Sequence, residues 1–271
     1  MGGRKLTYRD ICESFKKVNI DNARGEAELL IREICGEFSI DADYQSELLS
    51  SAVARRCEGY PLQYIIGKWW FARCEFEVSE DCLVPRPDTE SIVEEAVKLL
   101  PQNARFADLC TGSGCIAISI ADLRADLRGV AVELYPKTLE IAKRNAKRNN
   151  VLDKILFSQG DVLLGDALLD ERFFAIVSNP PYIRTDVIDT LSIEVKHEPR
   201  VALDGGEDGL IFYRAIVEKY QKNLLPDGCF IFEIGYDQAD DIKRIAEQNG
   251  FSCRIKKDLG GNDRVAVLWR K

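Results

Sequence analysis

From residue 105 onward the sequence alternates short apolar runs with stripes of helical spacing, and this alternation narrows the possible folds more than any other feature. Runs at 105–109, 129–133, 154–158, 173–178, 229–234, 252–256 and 265–269 have the length and apolar content of buried strands. Helical stripes fall near 115–123, 136–149, 209–224 and 237–248. Strands joined through helices run parallel, because the crossover returns the chain to the starting edge. The expectation is an α/β domain with an open, seven-stranded, mainly parallel sheet covered on both faces. Only the loop 257–264 separates the last two runs, so the last strand is expected to be antiparallel.

The amino-terminal third has helical spacing instead. Thr7-x-x-Asp10 reads as a helix start with Asp for the usual Glu, followed by Ile11, Phe15 and Val18 on one face. Ala27, Leu30, Ile31 and Ile34 form a second stripe, and Leu48, Leu49, Ala52 and Val53 a third, which together predict a small helical bundle. The pattern stops at Gly59-Tyr60-Pro61. The aromatic and β-branched stretch that follows (Tyr64, Trp69, Trp70, Phe71, Phe76, Val78, Val84) reads as a connector with short strands and a hairpin around Ser79-Glu80-Asp81. Pro85 and Pro87 end it, and Asp88 or Thr89 is expected to cap a helix carrying Ile92, Val93, Ala96, Val97 and Leu100. Residues 1–78 are thus expected to form a helical domain with its connector, and 79–271 the sheet domain.

Composition removes several function classes. With 37 Lys+Arg against 45 Asp+Glu the net charge is −8, which disfavours a protein built to grip duplex DNA or an anionic membrane. No apolar run is long enough to span a membrane, and the start MGGRKLTYRDICESF lacks the apolar segment of a signal peptide. Gly2 invites a myristoylation reading that Leu6, in place of a small hydroxyl residue, opposes. A soluble, cytoplasmic protein, monomeric and without membrane partners, is expected. Nine cysteines (12, 35, 57, 74, 82, 110, 115, 229, 253) make no C-x-x-C pair and read as reduced, packed thiols rather than zinc ligands or disulfides. His197, the sole histidine, reads as a loop residue, so no metal site and no serine-hydrolase triad is expected.

Candidate chemistry sits at the ends of the expected strands. Asp108-Leu109-Cys110-Thr111-Gly112-Ser113-Gly114-Cys115 joins the first strand to its helix as a Gly-rich turn whose backbone amides can approach a ligand. Gly112-x-Gly114-x-x-Ala117 also fits a dinucleotide pattern, and Glu133 ends the second strand, where a carboxylate can accept both hydroxyls of a ribose. That chemistry serves a nicotinamide cofactor and S-adenosylmethionine alike. After the third strand, Asp161 could accept from an adenine amino group, with Val162 against the ring. After the fourth comes Ser178-Asn179-Pro180-Pro181-Tyr182, in which two prolines remove two backbone donors. The Asn179 side-chain oxygen and the Pro180 carbonyl can then act as acceptors for a planar NH2, and Tyr182 offers a face for a flat group.

In this order, D-x-x-T-G-S-G, an acidic residue, Asp and N-P-P-Y with an antiparallel last strand, the sequence resembles the class I S-adenosylmethionine-dependent methyltransferases of Rossmann-like fold. More closely it resembles the HemK/PrmC protein-glutamine N5-methyltransferases. Bare N-P-P-Y is shared with adenine-N6 and rRNA guanine-N2 enzymes. Pro61-Leu62-Gln63-Tyr64-Ile65-x-Gly67, the stretch from Leu83 through Pro85-Arg86-Pro87-Asp88-Thr89 to Glu90, the stretch from Glu198-Pro199-Arg200 to Gly209-Leu210, and Asp258-Leu259-Gly260-Gly261-Asn262-Asp263-Arg264 carry the closer likeness.

The resemblance implies methyl transfer from S-adenosylmethionine to N5 of the glutamine in the Gly-Gly-Gln motif of class I peptide-chain release factors, leaving S-adenosylhomocysteine. It implies no direct nucleic-acid partner. By it Cys110, Thr111, Gly112, Ser113 and Gly114 cradle the methionine end of the cofactor, Glu133 the ribose, and Asp161 and Val162 the adenine. Asn179, Pro180, Pro181 and Tyr182 receive the glutamine amide, with Asn179 and Pro180 catalytic and Asn179 also bordering the cofactor; Arg86, Thr89 and Glu90 close the cofactor pocket. The helical domain would grip the release factor. Two departures stand out: Cys110 where the family usually has Gly, whose side chain must turn away or narrow the pocket, and Glu133 where Asp is as common. A nucleic-acid amino-group methyltransferase is the rival enzyme. A nicotinamide dehydrogenase leaves N-P-P-Y unexplained, and a binding module without catalysis is the rival from another class.

Overall fold

A computed structural model describes residues 5–271, and the reading of Gly2 lies outside them. The chain divides into two units, one running to Lys68 and taking in Leu191–His197, the other formed by Trp69–Thr190 and Glu198–Lys271. The division falls within the connector, at the first residue of the strand Lys68–Phe71.

The first unit is the expected bundle. Strand β1 (Leu6–Thr7) leads into α1 (Tyr8–Lys17), where the Thr7 side chain accepts from the Asp10 amide at 3.1 Å and the Asp10 carboxylate accepts from the Thr7 amide at 2.9 Å. This is a reciprocal cap. Helices α2 (Ala23–Cys35), α3 (Glu47–Cys57) and α4 (Leu62–Ile66) follow, with β2 (Asp43–Tyr44) paired to β1. Ile11, Phe15, Ala27, Leu30, Ile31, Leu49, Ala52 and Val53 form the core. Val18 and Leu48 depart from the expected stripes, being 43% and 74% exposed. Val18 is the residue that ends α1, and Leu48 precedes the inward face that Leu49, Ala52, Val53 and Arg56 share at helical spacing. Buried Arg56 pairs with Glu26 at 2.6 Å and with Glu194, from the inserted 191–197 segment, at 2.8 Å. His197 lies in the same segment with its ring edge-on to Tyr60.

In the second unit β3 (Lys68–Phe71) and β4 (Cys74–Glu77) form a hairpin that turns at Ala72-Arg73, not around Ser79–Asp81 as expected. Ala72 adopts a positive φ of 51° without being Gly or Asn, and Ser79 instead heads a tight turn in which its carbonyl accepts from the Cys82 amide. Strands β5 (Arg105–Leu109), β6 (Arg128–Glu133), β7 (Ile155–Gln159), β8 (Phe173–Ser178), β9 (Leu224–Glu233), β10 (Phe251–Lys257) and β11 (Asp263–Arg270) make one sheet of order β10-β11-β9-β8-β5-β6-β7. Strands β5 to β9 pair in parallel, while β11 runs antiparallel between β9 and β10, as expected for the last strand. β9 begins five residues before the expected run because a register shift absorbs Pro226-Asp227-Gly228, which reads as a turn. Helices α5 (Glu90–Leu99), α6 (Cys115–Leu123), α7 (Pro136–Arg148), Ile211–Tyr220 and Ala239–Gln248 accompany the sheet. All nine cysteines are free thiols. No helix of the described residues is long and apolar enough to cross a membrane.

Candidate active site

The strand order fixes where a crevice opens. β6 and β7 lie on one side of β5, and β8 and β9 on the other, so the connections after β5 and β8 diverge to opposite faces of the sheet. A cavity of about 640 Å³, large enough for a nucleoside-bearing cofactor, is bordered by the loops that follow β5, β6, β7 and β8 and by the segment before α5. Cys110, Thr111, Gly112, Ser113, Glu133, Asp161, Val162, Asn179 and Pro181 border it, with Arg86 and Thr89. Gly114, Pro180 and Tyr182 do not, and Glu90 instead accepts from the Ala72 amide at the hairpin turn.

The loop after β5 is held by backbone contacts around one buried carboxylate. Asp108 Oδ2 accepts from Thr111 Oγ1 at 2.6 Å and from the Ala117 amide at 3.2 Å, bracketing the turn, while Oδ1 has no partner. Burial pushes Asp108 up to about 7, against the pull of those two donors. The Thr111 amide donates to the Val132 carbonyl, and Asn145 Nδ2 donates to the Ser113 carbonyl at 2.9 Å. Gly114 has φ +84°, a conformation that favours glycine, and a Cβ there would stand 2.8 Å from Ile118 Cδ1, whose side chain would have to shift. At Gly112 a Cβ would meet nothing within 4 Å, so the backbone there borders open space. Cys110 also has positive φ, 59°, at a cost of about 1–2 kcal/mol for a residue with a Cβ. Its side chain packs on the sheet core and also borders the cavity, and burial holds the thiol well above its usual range.

Glu133 ends β6, with Oε2 accepting from the Gly112 amide at 3.0 Å and Oε1 from the Tyr135 amide at 3.1 Å. Burial raises its pKa and these backbone donors oppose the rise. Each oxygen keeps a further lone pair. Asp161 closes its own turn, Oδ1 accepting from the Leu163 amide at 2.8 Å, and its second oxygen takes no part in that turn. Val162 beside it is buried.

Side chains, by contrast, hold the segment after β8. Asn179 Nδ2 donates to Thr89 Oγ1 at 3.3 Å, which leaves the Asn179 oxygen as the acceptor of the amide. Gln238 Nε2 donates to the Tyr182 carbonyl at 3.0 Å, and Tyr182 Oη donates to Glu233 Oε1 at 3.4 Å. Glu233 is 2% exposed; the Thr89 hydroxyl and the Arg264 guanidinium also face it, and Oε2 has no hydrogen-bond partner. Its pKa is raised by burial. Arg86 pairs with buried Glu198, which also accepts from the Val84 amide at 3.3 Å, fixing the segment that borders the cavity. The sequence reading gave Glu233 no role, although one charge inside the apolar run Phe230–Gly235 was a visible anomaly.

Two family models match the chain: the Methyltransferase small domain over residues 89–205 and the PrmC N-terminal domain over 7–67. The Release factor glutamine methyltransferase of Thermodesulfovibrio yellowstonii is 39% identical, the match covering 83% of this chain and 81% of that one. The protein of that name from Geobacter sulfurreducens is 39% identical over 91% and 89%. A methyltransferase structure from Pyrococcus furiosus shares the fold with a TM-score of 0.55 and 20% identity, covering 72% of this chain and 87% of that one. With a seven-stranded methyltransferase sheet, an amino-terminal domain of its own kind and relatives at this identity over most of their length, the chain belongs to the release factor glutamine methyltransferase family.

Proposed function

We propose that this enzyme transfers a methyl group from S-adenosylmethionine to the side-chain nitrogen N5 of the glutamine in the Gly-Gly-Gln motif of class I peptide-chain release factors, in the cytoplasm. The observation that carries this reading is the Asn179 amide, turned by Thr89 so that its oxygen is left to accept beside the cavity.

The cavity's residues suit the cofactor. An open-faced Gly112 with Thr111 and Ser113 borders the space for a methionine end, the Glu133 carboxylate has lone pairs for a ribose diol, and Asp161 with Val162 offers an acceptor beside an apolar wall. Bound there, S-adenosylmethionine would supply an electrophilic methyl: the N–CH3 bond forms as the S–CH3 bond breaks, S-adenosylhomocysteine leaves, and the methylated nitrogen releases one proton to solvent. An amide nitrogen is a poor nucleophile because its lone pair is delocalised. The Asn179 oxygen and the Pro180 carbonyl, accepting its two N–H bonds, favour a more tetrahedral nitrogen whose lone pair is localised. No strong base is required in the ground state, and fixed positioning supplies much of the rate. Tyr182 and Pro181 flank the amide. The helical unit is the part proposed to hold the release factor away from the glutamine loop.

The test is a labelled methyl-transfer assay with a class I release factor beside a variant whose Gly-Gly-Gln glutamine is replaced. Label on the wild-type factor alone supports the reading. Label on nucleic acid and none on the factor overturns it.

A further inference from the structure

Loop 203–209 packs its main chain directly against the segment after β8. The Ile183 amide donates to the Leu203 carbonyl at 2.9 Å, the Gly205 amide to the Ile183 carbonyl at 2.8 Å, and the Thr185 amide to the Gly206 carbonyl at 3.0 Å. A Cβ on Gly205 would stand 2.7 Å from Tyr182 Cα, 2.8 Å from the Pro181 carbonyl oxygen and 2.9 Å from Gly209 Cα, and a Cβ on Gly209 would overlap the Tyr182 carbonyl oxygen. These neighbours are main-chain atoms, which no change of rotamer can move aside, so only glycine permits the approach. Gln238 Nε2 ties the two stretches together, donating to the Tyr182 carbonyl at 3.0 Å and to the Gly209 carbonyl at 3.2 Å. Asp204, from the same loop, borders the cavity together with Asn179 and Pro181. Pro180 and Pro181 have no amide N–H to anchor them, so the depth at which their peptides sit is set by what they rest on.

Resting on the proposed glutamine reaction, we infer that Gly205 and Gly209 are positioning residues for the substrate amide. With no side chain between them and Pro181–Tyr182, they set how deep that segment sits, and with it the place of the Asn179 oxygen and the Pro180 carbonyl. A methyl group added at Gly205 must push the main chain back by about 1 Å to reach ordinary contact, which parts those acceptors from the reacting nitrogen. The loop after β5, on the cofactor side, keeps its shape. Gly205 does not have a positive φ, so alanine there meets the contact and no backbone strain. Gly206 is the opposite case: its φ is +87°, and the nearest neighbour of a Cβ would be Ile211 Cγ2 at 3.4 Å.

The experiment measures kcat, KM for a release factor, cofactor affinity by calorimetry and melting temperature in Gly205→Ala, Gly206→Ala and Gln238→Leu beside the wild type. Gly205→Ala is expected to lower kcat about 100-fold, the scale of a displacement of about 1 Å at the reacting groups, with cofactor affinity and KM within about threefold. Gly206→Ala is expected to lower the melting temperature by about 2–4 °C through its φ, while kcat stays within about threefold. Gln238→Leu unties Tyr182 from Gly209 and is expected to lower kcat about tenfold. Wild-type kcat in Gly205→Ala overturns the inference. So does cofactor affinity that falls in parallel with kcat, or an equal loss of kcat in Gly206→Ala, since either would make the loop merely structural. If Gly205→Ala does not fold, Gln238→Leu decides: wild-type kcat in that variant overturns the inference. A wild-type enzyme that does not methylate the factor would strike the proposed function instead.

Discussion

The two sides of the cavity are built differently. The loop after β5 is held mainly through its own backbone: Thr111 to Val132, Gly112 to Glu133, Ser113 to Asn145, with Asp108 bracketing the turn. The segment after β8 has lost two backbone donors to proline and is held largely through its own side chains, Asn179 to Thr89 and Tyr182 to Glu233, with Gln238 donating to the Tyr182 carbonyl. Changes on the first side should therefore act through loop shape and cofactor affinity. Changes on the second should act through the direction of polar groups, and so on turnover.

The largest effect expected from breaking the first side is that of Glu133→Ala. It removes the proposed ribose acceptor and the partner of the Gly112 amide, and titration calorimetry should show cofactor affinity lower by about 100-fold, the scale of losing charge-assisted hydrogen bonds. Turnover at saturating cofactor should change far less. Next is Gly114→Ala, whose Cβ would stand 2.8 Å from Ile118 Cδ1 at a φ of +84°. It should destabilise the fold by about 1–3 kcal/mol in a denaturant titration and weaken the cofactor with it, since this loop cannot move without its helix.

On the other side, Gln238→Leu strands the Tyr182 carbonyl, the Gly209 carbonyl and the Gly235 amide, all of which Gln238 satisfies. A stability loss of about 1–3 kcal/mol is expected, with lower turnover and cofactor affinity near that of the wild type. The remaining expectation concerns pH dependence. Asp108 titrates near 7 in the folded protein, above its unfolded value, so the folded state binds the proton more tightly. Its contribution is most favourable below the unfolded pKa and is lost as pH rises through about 7. Asp108→Asn should flatten that part of a stability–pH curve measured between pH 5 and pH 8, at roughly the span between the two pKa values.

The sheet was readable from sequence because strands buried on both faces need continuous apolar runs, and β5 and β8 were found to the residue. The turn at Ala72-Arg73 was not, because neither residue is a usual turn former, and the start of β9 was hidden behind Pro226 and Gly228. The Gly-rich loop and the residues at the ends of β6, β7 and β8 could be located because each sits next to the strand that positions it. Thr89 looked like a cap because its real partner, Asn179, is remote in sequence, and a hydrogen bond of that span leaves no local pattern. The placement of Leu191–His197 with the helical unit was hidden for the same reason.

The most direct test of this division is Asn179→Ala, measured for cofactor affinity by calorimetry and for methyl transfer to a class I release factor in the same preparation. The expected result is affinity within about threefold of the wild type and transfer reduced by about 1,000-fold, as when a preorganised transition-state contact is removed. Affinity and transfer falling together, or transfer persisting, would contradict it.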